Sequence, residues 1–476
     1  MSRLALLALL SSLPILTPLV DLEDDYITGD VSLEGVTYPY SLLQPERIVK
    51  GRHYPLVLFL HGAGERGQDN ERPKGHFPDV MRGEKNRKAY PCFVLAPQCP
   101  EHKQWVNASW GDKESKPTAD TPSDPLKAAI AALEEVVRAH PIDPDRIILT
   151  GLSMGGYGTW DLATRHADWF SSAAAICGGG DERLAHRLAG LPLEVWHGSE
   201  DGVVPPIRSQ KMVDTMRALG LEVNYTELPG VGHDSWGQAY SKNGCLEELF
   251  SAKRDPKKRQ VLSSKLLAEK ISKKERIAFL GDSITQAGDR QNGYVDLIRD
   301  VLKKKQRGVK VLPAGISGHK VPDLMARFRK DVIEQDATLV FIYIGINDVW
   351  HSTSGNGTSA SDYESGLRNL IRELRTSGAD VVLATPSVIG EEPLGENSLD
   401  EELEEFAAIS RRVAADEGAT LCDLRRAFQA HLRIFNPKDK AKGVLTSDGV
   451  HLNKAGNLLV ATEAAEALYR AVLARD

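Results

Sequence analysis

Short continuous apolar runs alternate along this chain with segments whose apolar residues recur every three or four positions. Pro55-Leu-Val-Leu-Phe-Leu60, Cys92-Phe-Val-Leu-Ala96 and Arg146-Ile-Ile-Leu-Thr150 are of the first kind and read as strands buried on both faces. Further strands are expected at 193–197 and 223–227. Leu126, Ile130, Leu133 and Val137 are of the second kind. They share one helical face, with Asp124 as the expected N-cap and Pro125 at the first helical position. Strands alternating with helices give an α/β architecture, a mostly parallel sheet covered on both faces.

The pattern then breaks and restarts. Residues 251–274 are dense in charge and read as a solvated linker, although Leu262, Leu266, Leu267 and Ile271 have the spacing of one helix. Arg276-Ile-Ala-Phe-Leu280 begins a second α/β unit, followed by a helix with Tyr294, Leu297, Ile298, Val301 and Leu302 on one face. Strands at about 309–312, 338–344 and 380–385 alternate with helices at about 321–330, 361–376, 400–416 and 455–473. The two units share no motif, so the chain reads as a fusion of unlike domains, 22–250 and 275–476.

The first 21 residues differ from both. Arg3 precedes an apolar stretch, Leu4 to Val20, and an acidic exit follows. This is the form of a signal peptide, or of an N-terminal anchor, since no A-x-A-like cleavage site is evident. Pro14 and Pro18 interrupt the stretch, so no stable membrane span is expected after processing. The expected location is secreted or periplasmic.

Composition narrows the partners. With 59 Lys and Arg against 66 Asp and Glu, the net charge of −7 offers no basic face for phosphates, so no nucleic-acid partner is expected. The five cysteines, at 92, 99, 177, 245 and 422, show no C-x-x-C metal pattern. They read as small buried residues, with a Cys92–Cys99 pair as the alternative. No H-E-x-x-H, P-loop or dinucleotide fingerprint is present, so neither metal nor cofactor is expected.

Candidate chemistry appears in both units. Gly151-Leu-Ser153-Met-Gly155 falls between a strand and a helix, where the G-x-S-x-G pattern projects a serine hydroxyl from a tight turn. Asp201 and His233 each follow a later strand, in the order nucleophile, acid, base. His233 is the expected base and Asp201 its orienting acid, with the adjacent Glu200 as rival. Leu60-His-Gly-Ala-Gly64 can turn an amide toward a developing oxyanion, and the expected donors are Ala63 and Met154. His61 and His197 are read as structural supports.

These segments, with Ala-Pro-Gln-Cys-Pro (96–100), Gly-Leu-Ser-Met-Gly-Gly-Tyr-Gly-Thr-Trp (151–160) and Val-Trp-His-Gly-Ser-Glu-Asp (195–201), resemble exported polyhydroxybutyrate-depolymerase/feruloyl-esterase-like hydrolases, also labelled predicted peptidases. The resemblance covers roughly residues 35–250. It implies an α/β-hydrolase fold and leaves the ester class open.

In the second unit, Gly281-Asp-Ser283-Ile-Thr285, Ala314-Gly-Ile-Ser-Gly318 and Gly345-Ile-Asn347-Asp348 each follow a strand, and Asp448-Gly-Val-His451 lies near the C-terminus. Ser283 is the expected nucleophile, His451 the base and Asp448 its partner. The Ser283 and Gly318 amides with the Asn347 side chain can form an oxyanion hole. The set resembles the SGNH (GDSL-type) hydrolases over roughly residues 275–476, which implies a flavodoxin-like sheet. Pro313 stands where such proteins often have Asn.

Two serine hydrolases on one chain suggest one substrate with two kinds of ester. Polysaccharide carrying acetyl and hydroxycinnamoyl (feruloyl) groups fits best. Lipid, thioester or peptide hydrolysis, or a non-catalytic polymer-binding role for one domain, are the alternatives. Trp105, Trp110, Trp160, Trp236 and Trp350 lie near the motif loops and read by default as core or rim packing.

Overall fold

The computed structural model describes residues 25–475; the expected signal segment lies outside the described residues. The first domain is one sheet of eight strands: β1 (Tyr26–Leu33), β2 (Val36–Leu43), β3 (Tyr54–Leu60), β4 (Phe93–Pro97), β5 (Ile142–Leu152), β6 (Ser172–Ile176), β7 (Leu193–Gly198) and β8 (Asn224–Leu228). Their spatial order is 1-2-4-3-5-6-7-8. β1 and β2 run antiparallel; β3 to β8 are parallel. Every residue of β3 and β4 is buried, as their unbroken apolar runs require.

Three departures from expectation have local causes. β1 has no buried residue, whereas Tyr38 and Tyr40 to Leu43 of β2 are buried, so neither strand of this hairpin alternates cleanly. β6 reads Ser-Ala-Ala-Ala-Ile, a poor strand former by propensity. It is a strand because helix Met154–Arg165 lies against it, so closely that a Cβ on Gly156 would come within 2.5 Å of the Ile176 carbonyl. The N-cap of helix Asp124–Ala139 is Ser123 rather than Asp124: the Ser123 hydroxyl accepts from the Leu126 amide.

The second domain is a five-stranded, fully parallel sheet: β9 (Arg276–Gly281), β10 (Lys310–Gly315), β11 (Leu339–Tyr343), β12 (Asp380–Ala384) and β13 (Thr420–Cys422). The order 10-9-11-12-13 reverses direction at β9, and the crevice at such a switch point, beyond the carboxyl ends of the strands, is where open α/β sheets bind ligands. Pro313 lies exposed on β10, an edge strand, where the missing N–H is tolerated.

The charged stretch is not a solvated linker. Residues Pro256–Lys270 form a helix capped by Asp255, whose carboxylate accepts from the Lys258 amide. Gln260, Ser263, Ser264, Leu266 and Leu267 are buried, and the helix packs on Lys454–Leu473 and Tyr294–Lys305 of the second domain. Gln260 donates to Ser264 Oγ and to the Leu297 carbonyl. Arg259 reaches back to the carbonyls of Arg187 and Ala189 in the first domain, at 2.7 and 3.0 Å. High charge density misled because the buried positions include the polar Gln260, Ser263 and Ser264, and one of the charges, Arg259, is itself bonded across the junction.

Further contacts cross the junction. Arg187 pairs with Glu466 at 3.1 Å, His431 with Asp168 at 3.3 Å and Arg138 with Asp439 at 2.6 Å. The Arg254 guanidinium covers the Phe435 ring at 4.0 Å. The five cysteines are all buried and unpaired, so the Cys92–Cys99 alternative is not realised. Among the described residues no helix is long and apolar enough to cross a membrane.

Candidate active sites

In the first domain the chain leaves β5 and enters helix Met154–Arg165 through Ser153, whose φ of +53° is rare for a residue with a Cβ. Gly155 permits the turn: a Cβ there would stand 1.8 Å from the Leu60 carbonyl oxygen. The strained corner projects the Ser153 hydroxyl to 2.8 Å from His233 Nε2. His233 Nδ1 donates to Asp201 Oδ2 at 2.7 Å. Glu200 lies exposed beside this relay and takes no part in it.

Asp201 is deeply held. Its Oδ1 accepts the amides of Val203 and Val204 at 2.8 and 2.9 Å. His197 Nε2 stands 3.2 Å from Oδ2 and is itself fixed by Ser209 Oγ and the Val204 carbonyl. Burial pushes the Asp201 carboxyl up, but the bonds from His197, His233 and the two amides outweigh it and hold it well below the usual carboxylate range. The Trp236 ring stands edge-on to His233 at 5.5 Å. Cys177, which the sequence did not single out, has its sulfur within 4.8 Å of the facing Asp201 and His233 atoms. Burial pushes its thiol up to about 12, which keeps it neutral.

The expected oxyanion donors lie at two chain corners. Met154 opens its helix and Ala63 opens the short turn Ala63–Glu65, and first-turn amides have no acceptor inside their own helix. Gly62 brings the second corner close: a Cβ there would lie 3.7 Å from Ser153 Cβ. His61 braces that corner. Its Nε2 accepts the Cys99 amide at 2.9 Å, which makes Nδ1 the donor to the Gly62 carbonyl at 2.6 Å. Burial lowers His61 to about 4, so it stays neutral.

In the second domain Ser283 follows β9 and opens helix Ser283–Gly288. Its hydroxyl lies 3.0 Å from His451 Nε2, and His451 Nδ1 donates to Asp448 Oδ2 at 2.8 Å. Asp448 Oδ1 accepts the amides of Val450 and His451 at 3.0 and 2.8 Å. Slight burial raises the Asp448 carboxyl, and the His451 bond with those amides lowers it further, to about 2.

Gly318 takes φ +80°, a left-handed turn that suits glycine. Asn347 is buried on helix Ile346–Trp350 and donates one amide hydrogen to the His319 carbonyl at 3.0 Å. Asp348 Oδ1 accepts the Val321 amide at 3.1 Å. These two bonds fasten the Gly318 loop to the loop after β11. Beneath them Asp282 is buried with Oδ1 on the Ile284 amide, and burial pushes its carboxyl up to about 7.

One supporting group carries no sequence motif. Glu391 is buried after β12, and its carboxylate accepts the amides of Val444 and Leu445, both at 2.7 Å, and the amide and hydroxyl of Thr446. The Thr446 hydroxyl in turn accepts the Gly449 amide at 3.1 Å, between Asp448 and His451. A carboxylate thus holds the loop that carries acid and base. An isolated acid in Gly390-Glu-Glu-Pro gives no hint of this, because its partners lie more than fifty residues away.

Each site therefore presents a hydroxyl aligned on an imidazole whose far nitrogen donates to a carboxylate, the arrangement that activates serine for acyl transfer. Residues 57–217 match the Alpha/beta hydrolase family, and residues 279–459 match the GDSL-like Lipase/Acylhydrolase family. An acetylxylan esterase of Geobacillus stearothermophilus is 30% identical over 210 residues, covering 40% of this chain and 93% of that protein. The isoamyl acetate-hydrolyzing esterase 1 homolog of Mus musculus is 28% identical over 203 residues, covering 38% and 76%. A thermostable esterase of known crystal structure is 36% identical, with TM-score 0.45, covering 48% of this chain and 64% of its own. The chain belongs to the alpha/beta hydrolase family through its first domain and to the GDSL-like lipase/acylhydrolase family through its second, and is a serine carboxylic ester hydrolase.

Proposed function

We propose that this chain is an exported bifunctional esterase that removes acetyl and feruloyl esters from polysaccharide through two independent Ser–His–Asp sites. The observation that carries the reading is the presence of two complete hydroxyl–imidazole–carboxylate relays, one in each domain. Similarity to an acetylxylan esterase supports the choice of substrate, and the basic start and apolar stretch before Asp21 support export.

The chemistry is the same in both sites. The serine Oγ attacks the ester carbonyl carbon as the histidine Nε2 takes its proton, and the carboxylate stabilises the imidazolium. The carbonyl oxygen becomes an oxyanion, received in the first site by the amides of Ala63 and Met154. In the second, the amides of Ser283 and Gly318 and the free Asn347 N–H receive it. The imidazolium then protonates the departing sugar oxygen, leaving an acyl-serine. A water, deprotonated by the same histidine, attacks this ester, and the carboxylic acid leaves as the serine recovers its proton.

The test is release of acetate and hydroxycinnamate from cell-wall polysaccharide by the wild type, Ser153→Ala and Ser283→Ala. Loss of a different product in each variant assigns both sites. No release by the wild type defeats the carbohydrate reading.

A further inference from the structure

Ile316, Trp350 and Leu394 are 39%, 38% and 65% exposed, although nearly all large apolar side chains of the second domain are buried. They sit on three loops of one sheet edge. Ile316 follows β10, two residues before Gly318. Trp350 ends the helix after β11, three residues and so one helical turn from Asn347, on the same face. Leu394 follows β12, four residues after Gly390, whose amide donates to the Gly449 carbonyl in the loop of Asp448 and His451. Since β9 lies between β10 and β11, the loop of Ile316 and the helix that ends in Trp350 flank the corner of Ser283 on its two sides, while Leu394 lies further out, after β12, where it lines a cavity with Arg138 and Arg433. Of the second domain's large apolar side chains, only Leu473 is exposed elsewhere among the described residues.

Trp350 departs from the packing expected of the tryptophans. Trp105 and Trp160 are fully buried, and Trp236 packs on His233. Among the described residues the Trp350 ring has no aromatic or cationic partner, and its N–H meets no protein acceptor. The hydroxyls of Ser352, Thr353 and Ser354, which follow it, donate within the protein, to Glu402 and to the Trp350 and His351 carbonyls. An apolar ring face with an N–H at its rim matches a pyranose, which is apolar on its C–H face and polar around its edge. An acyl chain would instead need a continuous apolar channel, whereas these three side chains stand apart on separate loops.

We propose that Trp350 is a stacking subsite for a sugar ring next to the acylated one. This rests on reading the second site as a carbohydrate esterase. It adds that the site recognises the polymer chain beyond the ester.

The test uses the full chain carrying Ser153→Ala, so that only Ser283 reports. Acetylated xylo-oligosaccharide, 4-nitrophenyl acetate and 4-nitrophenyl octanoate are compared in Trp350→Ala and Trp350→Phe. For Trp350→Ala the ratio of kcat/KM on oligosaccharide to that on nitrophenyl acetate is expected to fall about five- to tenfold, through KM, with Trp350→Phe recovering most of it. Equal loss on both esters would make Trp350 a brace for Asn347 and overturn the subsite. No loss on either overturns it too, and a loss confined to the octanoate would assign Trp350 to acyl chains. If the parent cleaves nitrophenyl acetate but leaves the oligosaccharide untouched, the carbohydrate reading fails and the subsite with it.

Discussion

Asp201 and Asp448 hold the same place in the two relays but opposite surroundings: the side chain of Asp201 is fully buried, while that of Asp448 is 50% exposed. A charge interacts more strongly with its partner when water is excluded. Asp201→Asn, measured with Ser283→Ala present, is expected to lower kcat about 10⁴-fold, because the imidazole loses both its tautomer and its counter-charge. Asp448→Asn, measured with Ser153→Ala present, is expected to cost only about 10²-fold, since solvent already shares the stabilisation of His451. Steady-state hydrolysis of 4-nitrophenyl acetate checks both, and equal losses would refute the contrast.

The turn at Ser153 stores strain that its hydroxyl exploits. At φ +53° a glycine is relaxed and an alanine is not. Both Ser153→Gly and Ser153→Ala remove the nucleophile, but the glycine variant is expected to be more stable by about 1 kcal/mol. Urea unfolding of the two variants decides the matter; identical midpoints would show that the turn is unstrained.

Glu391 is the positioning residue of the second relay. Glu391→Gln puts N–H donors where amides and a hydroxyl now donate. Ser283-dependent kcat is expected to fall on the order of a hundredfold as the Asp448–His451 loop shifts, while Ser153-dependent hydrolysis in the same molecule persists. Thr446→Val breaks the hydroxyl's bonds to Glu391 and from Gly449 while leaving the three amides on Glu391, and Thr446→Ser restores both. If Thr446→Val and Thr446→Ser have the same kcat and the same pH profile, the hydroxyl link has no positioning role.

Asp282 makes stability depend on pH. Its folded carboxyl, pushed by burial up to about 7 from 3.8, binds a proton that the unfolded chain has released. Its contribution is intact below pH 4 and is lost as the pH rises toward 7 and beyond. Asp282→Asn keeps the acceptor for the Ile284 amide without the charge. It is expected to stabilise the second domain by on the order of 3 kcal/mol at pH 8 and little at pH 4. Thermal unfolding across this range measures it, and a pH-independent difference would contradict the account.

Much of the fold was legible because buried parallel strands must be apolar throughout, as β3, β4 and β11 are. Among the elements that escaped, two depend on their neighbours: β6, made of alanines to admit a helix, and the hairpin of β1 and β2, whose strands do not alternate cleanly. The relays were legible as motifs because glycines and short spacings fix their turns. Glu391 was not, since a carboxylate that organises a remote loop looks like any surface acid until the chain is folded. The helix at 256–270 was half legible: its leucines showed, but the burial of Gln260 and Ser264 could not be read from polar letters.

That helix also bears on how such a chain can change over generations. A junction in its charged stretch looks like the natural place for genetic exchange between unrelated domains. Yet a breakpoint there would leave the second domain's Leu266 and Leu267 surface uncovered and strip Arg259 from the carbonyls of Arg187 and Ala189. A cut through this helix would therefore leave each domain with a bare face where the other stood, so separating the two units calls for new surface on both.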